Sequence, residues 1–139
     1  MTRRRHLAGW FLLTLLGIGV TFTVVRAQEA QQAAKAKPKH AIKEVMHGAH
    51  VAPEGQKSLR DKVLEGNATP EEKQQLLDFY ISLAENEPPK GEKQAWHDKT
   101  RAVVLGAAMI VVGRENGADA LRKATVCAAC HKDHKPPAQ

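Results

Sequence analysis

The stretch Cys127-Ala128-Ala129-Cys130-His131 lies near the C-terminal end of the 139-residue chain and has the spacing C-x-x-C-H. This spacing is the signature of covalent attachment of a c-type haem. Two thiols must lie on the same side of a short turn to add to the two vinyl groups of one porphyrin. The histidine that follows can then bind the iron as its proximal ligand. We therefore predict one covalent haem c, held by Cys127 and Cys130, with His131 on the iron.

Three other uses of this cysteine pair explain the motif and its surroundings less well. A thioredoxin-like C-x-x-C belongs beside a βαβ pattern, and the chain has no strand-rich segment. A zinc site could recruit Cys127, Cys130, His131 and His134, but structural zinc sites usually draw ligand pairs from two segments, and these are the only two cysteines. A disulfide in an exported protein would leave the adjoining histidine unexplained.

The N-terminal segment has the order of parts typical of a secretory signal peptide. Arginines at positions 3–5 are followed by an apolar run over 7–25 and by Val25-Arg26-Ala27, a plausible cleavage site. We predict that residues 1–27 are removed before Gln28 and that the protein is periplasmic or otherwise exported. An uncleaved membrane anchor is the alternative, because about twenty apolar residues can span a bilayer.

The formal charge of +6 depends largely on this segment. Its removal takes away four arginines, so 21 basic residues become 17 against 15 acidic ones, and the charge falls to +2. The remaining lysines are scattered among acidic residues, so we predict no nucleic-acid partner. A membrane is expected as a partner only if the signal segment stays uncleaved. The redox partner protein is left open, and so is a homodimer.

The mature chain is predicted to hold one domain. Residues 28–39 are rich in Gln, Ala and Lys, have no apolar period and contain Pro38, so we predict a flexible tether there. Residues 40–135 are predicted to form a haem-binding helical domain, and residues 136–139 a tail. A haem would add a large apolar surface to a domain that is too small to bury much of its own.

Apolar residues recur at helical spacing through this domain, and no run alternates with a period of two. We predict an all-α fold, a four-helix-bundle-like arrangement of about five helical segments around one haem. The predicted helices cover about 40–52, about 54–65, the stretch from Pro70 to the prolines at 88–89, about 92–112, and a last helix that Asn116 caps and that ends at Pro136.

The first predicted helix supplies two candidate iron ligands. Its apolar face is formed by residues three and four apart: Ile42, Val45, Met46 and Ala49. His50 follows Met46 by four residues and shares its face, whereas His47 is expected to face solvent. Either Met46 or His50 could therefore approach a haem from this helix.

Three further patterns bear on the later helices. Thr69, Pro70 and Glu72 form a capping box with proline at the first helical position. The predicted helix over 92–112 has one apolar stripe, consisting of Trp96, Thr100, Val103, Val104, Ala107, Ile110 and Val111. Its small residues at 106–108 would admit either a neighbouring helix or a flat macrocycle. In the last helix, the face of Leu121, Ala124, Thr125 and Ala128 is predicted to continue to His131, which would then point inward.

With its motif on the last helix of an all-helical chain, the sequence resembles the cytochrome c-prime and cytochrome c-556 group over about Ile42 to Lys135. That group is a four-helix bundle with its haem near the C-terminus. Lys135 and Trp96 stand where the family commonly has a basic residue and a tryptophan, and Met46 stands where six-coordinate members carry a methionine ligand. The short first helix and the interruption from Gly66 to Thr69 depart from the family's full-length bundle.

We predict an exported monohaem c-type cytochrome that acts in electron transfer and is not an enzyme, because no constellation for acid–base catalysis accompanies the motif. The alternative is a five-coordinate protein that binds NO or CO, as in cytochrome c-prime. The resemblance favours Met46 as sixth ligand, with His50 as the alternative, and a thioether would raise the reduction potential relative to a second histidine. Candidates for binding the haem propionates are Lys43, Arg60 and Arg122.

Overall fold

The computed structural model describes residues 37–137. The predicted signal peptide over 1–27, most of the predicted tether and the end of the tail lie outside the described residues. Within residues 37–137 the protein is an all-α bundle without strands, as predicted, but with six helices instead of about five. They are α1 (Ile42–His50), α2 (Leu59–Leu64), α3 (Pro70–Glu85), α4 (Lys93–Val111), α5 (Gly117–Ala124) and α6 (Cys127–His134). In this part of the chain, no helix is both long and apolar enough to cross a membrane.

Helix α1 has the predicted apolar face. Val45 and Ala49 are fully buried, Met46 is half-buried, and His47 is exposed, as the spacing indicated. The helix is shorter than the predicted 40–52. The backbone N–H of Ala41 is already bonded to the Glu44 carboxylate at 2.8 Å, and at the other end Val51 is extended. The helix therefore stops at His50, which leaves that ring at a helix end.

The prediction of a helix over 54–65 is wrong in its first half. Pro53 begins a turn in which its carbonyl accepts from the Gln56 N–H at 3.0 Å, and Gly55 has φ +75°, a conformation that favours glycine. Helix α2 starts only after Ser58, whose hydroxyl accepts from the Asp61 N–H at 3.2 Å. The turn separates α1 from α2.

The start of α3 is the predicted capping box. The Thr69 hydroxyl accepts from the Glu72 N–H at 3.2 Å, and the Glu72 carboxylate accepts from the Thr69 N–H at 2.9 Å, with Pro70 at the first helical position. Further along, α3 buries Leu76 and Tyr80 completely. Helix α3 therefore presents one apolar face to the core.

The longest helix, α4, packs most extensively against α5 and next against α3. Of the predicted stripe, Trp96, Thr100, Val103 and Ala107 are buried, and the remaining three residues, Val104, Ile110 and Val111, are half-buried. Gly106 lies so close to α5 that a Cβ atom there would stand 2.7 Å from the Cα atom of Leu121. Of the two uses considered for the small residues, Gly106 therefore serves helix packing.

The prediction of a single last helix is wrong. The chain leaves the helical conformation at Thr125 and Val126, two β-branched residues, and Val126 is extended with φ −73° and ψ 99°. The Thr125 hydroxyl donates to the Leu121 carbonyl at 2.8 Å and so completes the end of α5. Because of this break, the face of α5 does not continue through the motif, and His131 is exposed, not inward as predicted.

Candidate haem-binding site

Helix α6 presents the motif at the surface of the bundle. Cys127 and His131 are exposed, and Cys130 is half-buried against the apolar core. Neither cysteine forms a disulfide within the described residues. Residues three and four apart on a helix are neighbours, so the helical conformation puts both thiols and the His131 imidazole on one flank of α6. Burial raises the pKa of the Cys130 thiol, so it is held as a neutral S–H.

His134 holds the C-terminal end of α6 against the bundle. This side chain is 2% exposed, its Nδ1–H donates to the Lys90 carbonyl at 3.1 Å, and its ring stands edge-on to Trp96 with the centroids 5.3 Å apart. Gly91, at φ +81°, allows the loop to approach, because a Cβ atom there would lie 2.6 Å from the Asp133 carbonyl oxygen. His134 thus joins the motif helix to the loop before α4.

A second fastening comes from Lys99 on α4. Its ammonium group donates to the Ala129 carbonyl at 2.9 Å and pairs with the Asp133 carboxylate at 3.1 Å. Within residues 37–137 no helix packs broadly against α6. The motif is therefore positioned by a few specific polar and aromatic contacts, and one flank of α6 stays open.

Three polar side chains from different helices, which we name the rim cluster, gather beside the motif: His50 of α1, Arg60 of α2 and Tyr80 of α3. The Arg60 Nη1 group donates to the Cys127 sulfur at 3.8 Å, while Nη2 pairs with Asp61 at 3.1 Å. The rings of His50 and Tyr80 contact one another with centroids 5.8 Å apart. Cys127 therefore lies at the edge of a polar patch that the bundle builds from separate segments.

Each member of the rim cluster has a buried polar atom without a hydrogen-bond partner among the described residues. The atoms are His50 Nδ1, Arg60 Nε and Tyr80 Oη. Native proteins rarely leave such groups unsatisfied, because an unpaired buried donor or acceptor costs about 1–3 kcal/mol. His134 Nε2, on the motif helix itself, is buried and unpaired in the same way, and the described residues cover all four atoms.

The rim cluster is held largely uncharged apart from Arg60. Burial is the main cause that lowers the pKa of His50 to about 4, and the nearby charges of Arg60 and His131 lower it further. His50 is therefore neutral near pH 7, the state in which an imidazole nitrogen can bind a metal. Burial also raises the pKa of Tyr80 well above its ordinary value, so its hydroxyl keeps its proton and remains a donor.

The other predicted site residues have no hydrogen bond or ion pair with the motif among the described residues. Met46 is half-buried and packs against the apolar core. Lys43 is exposed, and Arg122 is exposed and paired with Asp119 at 2.6 Å. Among the candidates for propionate binding, only Arg60 reaches the motif.

Nothing in the described range supports the zinc alternative. Within residues 37–137, no three His, Cys, Asp or Glu side chains converge on a point that could hold a metal ion. The two cysteines and the two histidines of the alternative are spread along α6, with His134 turned to Trp96 and the other three on the open flank.

Sequence analysis missed two residues of the site. They are Tyr80 and His134, the second of which was considered only as part of the zinc alternative. A signal for Tyr80 existed, since it is the single tyrosine of the chain and stands among core positions, where its hydroxyl needs a partner. No local pattern indicates the contact of His134 with Lys90, because the two residues are far apart in the sequence.

The site fits a haem by its donor set and its surface. It offers two thiols, one exposed imidazole and the unsatisfied polar atoms of the rim cluster. Two apolar side chains next to site residues are also uncovered: Val51, which follows His50, is 56% exposed, and Val126, which precedes Cys127, is 52% exposed. A large group with an apolar body would cover these valines.

Comparison with known proteins found no matching family model, no matching curated protein and no matching solved structure. The resemblance to the cytochrome c-prime and c-556 group therefore rests on the motif, its position and the helical fold.

Proposed function

We propose that this protein is an exported monohaem c-type cytochrome that transfers electrons. The haem is bound covalently to Cys127 and Cys130, and His131 binds its iron. The observation that carries the proposal is the open flank of α6, which presents both thiols and the His131 imidazole together at the surface of the bundle. A cysteine pair with only a structural role would not need this surrounding.

Attachment requires each thiol to add across one vinyl group. The sulfur would bond to one vinyl carbon and the thiol proton would pass to the other, so no group would be lost. Cys127 is exposed and hydrogen-bonded to Arg60 Nη1, and Cys130 is half-buried behind it. The Cys127 thiol is thus accessible to the maturation machinery. The Cys130 thiol lies against the core, so a macrocycle bound to it would contact the bundle.

The protein's own residues then fix and shield the bound group. His134 and Lys99 hold α6 against the bundle, so His131 is supported by a helix that is fastened near both of its ends. Arg60 offers a guanidinium to a carboxylate arm, with Tyr80 as a neutral donor beside it. When bound, the haem would supply one-electron redox chemistry, and a rigid surrounding favours a change of charge with little rearrangement.

Covalent attachment is tested by producing the full chain together with a haem-maturation system. Haem should stay with the wild-type protein in acidic organic solvent, whereas the double variant Cys127→Ala/Cys130→Ala should release it. The matched control is Ala128→Ser/Ala129→Ser, which changes the two positions that the motif leaves free and should retain the haem. Release from the wild type, or retention by the cysteine-free variant, would refute the assignment.

Electron transfer is distinguished from gas binding by carbon monoxide. A carrier with both axial positions filled should titrate as a reversible one-electron couple, and its ferrous form should resist carbon monoxide. Rapid binding of carbon monoxide to the untreated ferrous protein would contradict electron transfer and would support the five-coordinate, gas-binding alternative.

Export is tested on the same preparation. The mature chain should begin at Gln28 and be recovered from the periplasmic fraction, because Val25-Arg26-Ala27 has the form of a cleavage site. N-terminal sequencing decides the point, and a chain that keeps Met1 in the membrane fraction would establish the anchor instead.

A further inference from the structure

Charge is distributed unequally between the body of the bundle and the end of the domain that carries the motif. Residues 37–118 contain twelve basic and twelve acidic side chains, so their formal charges cancel. Residues 119–135, which include most of α5 and the whole of α6, contain four basic side chains and two acidic ones. The formal charge of +2 in the described range therefore comes entirely from the motif end.

Both acidic side chains of the motif end are already paired with cations. Asp119 pairs with Arg122 of the same helix at 2.6 Å, and Asp133 pairs with Lys99 of α4 at 3.1 Å. These pairs consume the negative charge of the motif end. The basic side chains left over there have no acidic side chain of their own segment to balance them.

Three exposed lysines of the motif end have neither an ion pair nor a side-chain hydrogen bond in the part of the chain that the structure describes: Lys123, Lys132 and Lys135. Lys132 follows His131 directly, and the backbone N–H of Lys135 donates to the His131 carbonyl at 3.0 Å. Lys123 precedes Cys127 by four residues, which span at most about 14 Å. Charges in salt solution act over about 10 Å, so all three ammonium groups act on the surface around the motif.

A solvated helix face would explain any one of these lysines alone. Elsewhere in the described range, however, basic and acidic side chains lie side by side, as in α3, where Lys73 follows Glu71 and Glu72. The loop before α4 contributes Lys90 and Glu92, one charge of each sign. The positive excess is therefore particular to the motif end and is not a general property of the surface.

We propose that Lys123, Lys132 and Lys135 form the docking surface for a redox partner protein whose own surface is acidic. The proposal rests on the proposed function, because it requires a haem on α6. Cys127 and His131 are exposed, so a partner would approach the attached haem from this side. One electron would pass between the partner and the haem iron, so that one is oxidised as the other is reduced. Attraction between ammonium groups and carboxylates orients such an encounter and raises its rate.

The test uses the haem-loaded full chain and a plant-type ferredoxin, an acidic electron-transfer protein whose low potential lets it reduce a ferric haem. The first variant, Lys123→Gln/Lys132→Gln/Lys135→Gln, removes the three positive charges of the proposed surface. The dissociation constant is measured with oxidised ferredoxin, so that docking is read without electron transfer. The rate of haem reduction is measured with reduced ferredoxin, and both are recorded at low and at physiological ionic strength.

The matched control is Lys37→Gln/Arg101→Gln/Arg114→Gln. These three side chains are exposed, lie outside the motif end and have no ion pair among the described residues, so the control loses the same net charge from elsewhere. The midpoint potential of each variant is also recorded, which separates a change in driving force from a change in docking.

The wild type should bind oxidised ferredoxin about tenfold more tightly at low than at physiological ionic strength, and the reduction rate should fall in parallel as salt is added. The first variant should bind about tenfold more weakly than the wild type at low ionic strength and should lose most of the salt dependence. The control should stay within about threefold of the wild type, because its charges lie outside the surface.

Two results would overturn the proposal. One is equal weakening by the two variants, because net charge alone would then account for binding. The other is binding of the wild type that does not change with ionic strength. Both concern only the docking surface if the chain holds covalent haem and titrates as a reversible one-electron couple. A chain without covalent haem would instead refute the proposed function itself.

Discussion

The body of the bundle and the motif helix are stabilised in different ways. Helices α3, α4 and α5 pack through buried apolar side chains, and Gly106 brings α4 and α5 into close backbone contact. Helix α6 buries a single side chain, His134, among its described residues, and depends on that ring and on Lys99. The scaffold is therefore stabilised by apolar packing between its helices, whereas the motif helix is held by a few polar and aromatic contacts and keeps one flank open.

The largest expected effect concerns the apolar contact of α4 with α5. Leu121→Ala should lower the free energy of unfolding by about 3 kcal/mol, because Leu121 is fully buried and its truncation leaves a cavity. The measurement is urea unfolding of the mature, haem-loaded chain. Leu105→Ala is the control, since Leu105 is 62% exposed and should cost well under 1 kcal/mol. Equal losses for both variants would contradict the packing described for the bundle.

The next effect should be confined to the motif helix. His134→Ala removes a buried hydrogen bond and the ring contact with Trp96, which together should cost about 2 kcal/mol. Hydrogen exchange should show faster exchange over 127–134 and unchanged protection in α3 and α4. His97→Ala is a control on the neighbouring part of α4. Uniform loss of protection over all helices would mean that α6 unfolds only together with the bundle.

A smaller effect of opposite sign is expected at Tyr80. Its hydroxyl is buried without a partner in the described range, so Tyr80→Phe should stabilise the haem-free chain by about 1 kcal/mol. In the haem-loaded protein the gain should vanish or become a loss, because the hydroxyl then has an acceptor. Unfolding curves of both forms, with and without the substitution, measure the change. Equal stabilisation of the two forms would show that the hydroxyl does not serve the bound group.

The smallest effect is expected for the ion pair between Lys99 of α4 and Asp133 of α6. Lys99→Met should cost less than about 1 kcal/mol, because a partly exposed pair with Asp133 gains little in water, although the bond to the Ala129 carbonyl is also lost. The loss should shrink in high salt. Lys93→Met, which removes a more exposed pair with Glu87, is the control and should have no effect on exchange in α6. Identical hydrogen exchange of α6 in both variants would show that Lys99 does not stabilise the position of the motif helix.

What the sequence predicted correctly was encoded locally. Thr69, Pro70 and Glu72 make a capping box within four residues, and the stripe that begins at Trp96 follows the helical period. Such signals depend on neighbours along the chain, so no knowledge of the fold is needed to read them. The helical class and the core of α4 followed from them directly.

The errors arose where distant contacts or local breaks decide the structure. The apolar spacing from Leu121 to Ala128 predicted one continuous helix. The β-branched pair at 125–126 instead ends α5, so the motif forms a separate helix with His131 exposed. The rim cluster could not be predicted as a unit, because His50, Arg60 and Tyr80 belong to three helices and meet only in the folded bundle. Their separate helical positions were correct, but their convergence on Cys127 is a property of the tertiary structure.

The central claim is that one haem is bound covalently through Cys127 and Cys130, and the intact mass of the exported protein tests it most directly. We expect a single species, made with a haem-maturation system, whose mass exceeds that of the mature apoprotein by one haem. After denaturation in acid the same mass should remain, because two thioether bonds survive unfolding. A mass equal to the apoprotein, or to the apoprotein with a disulfide or a zinc ion, would contradict covalent haem attachment.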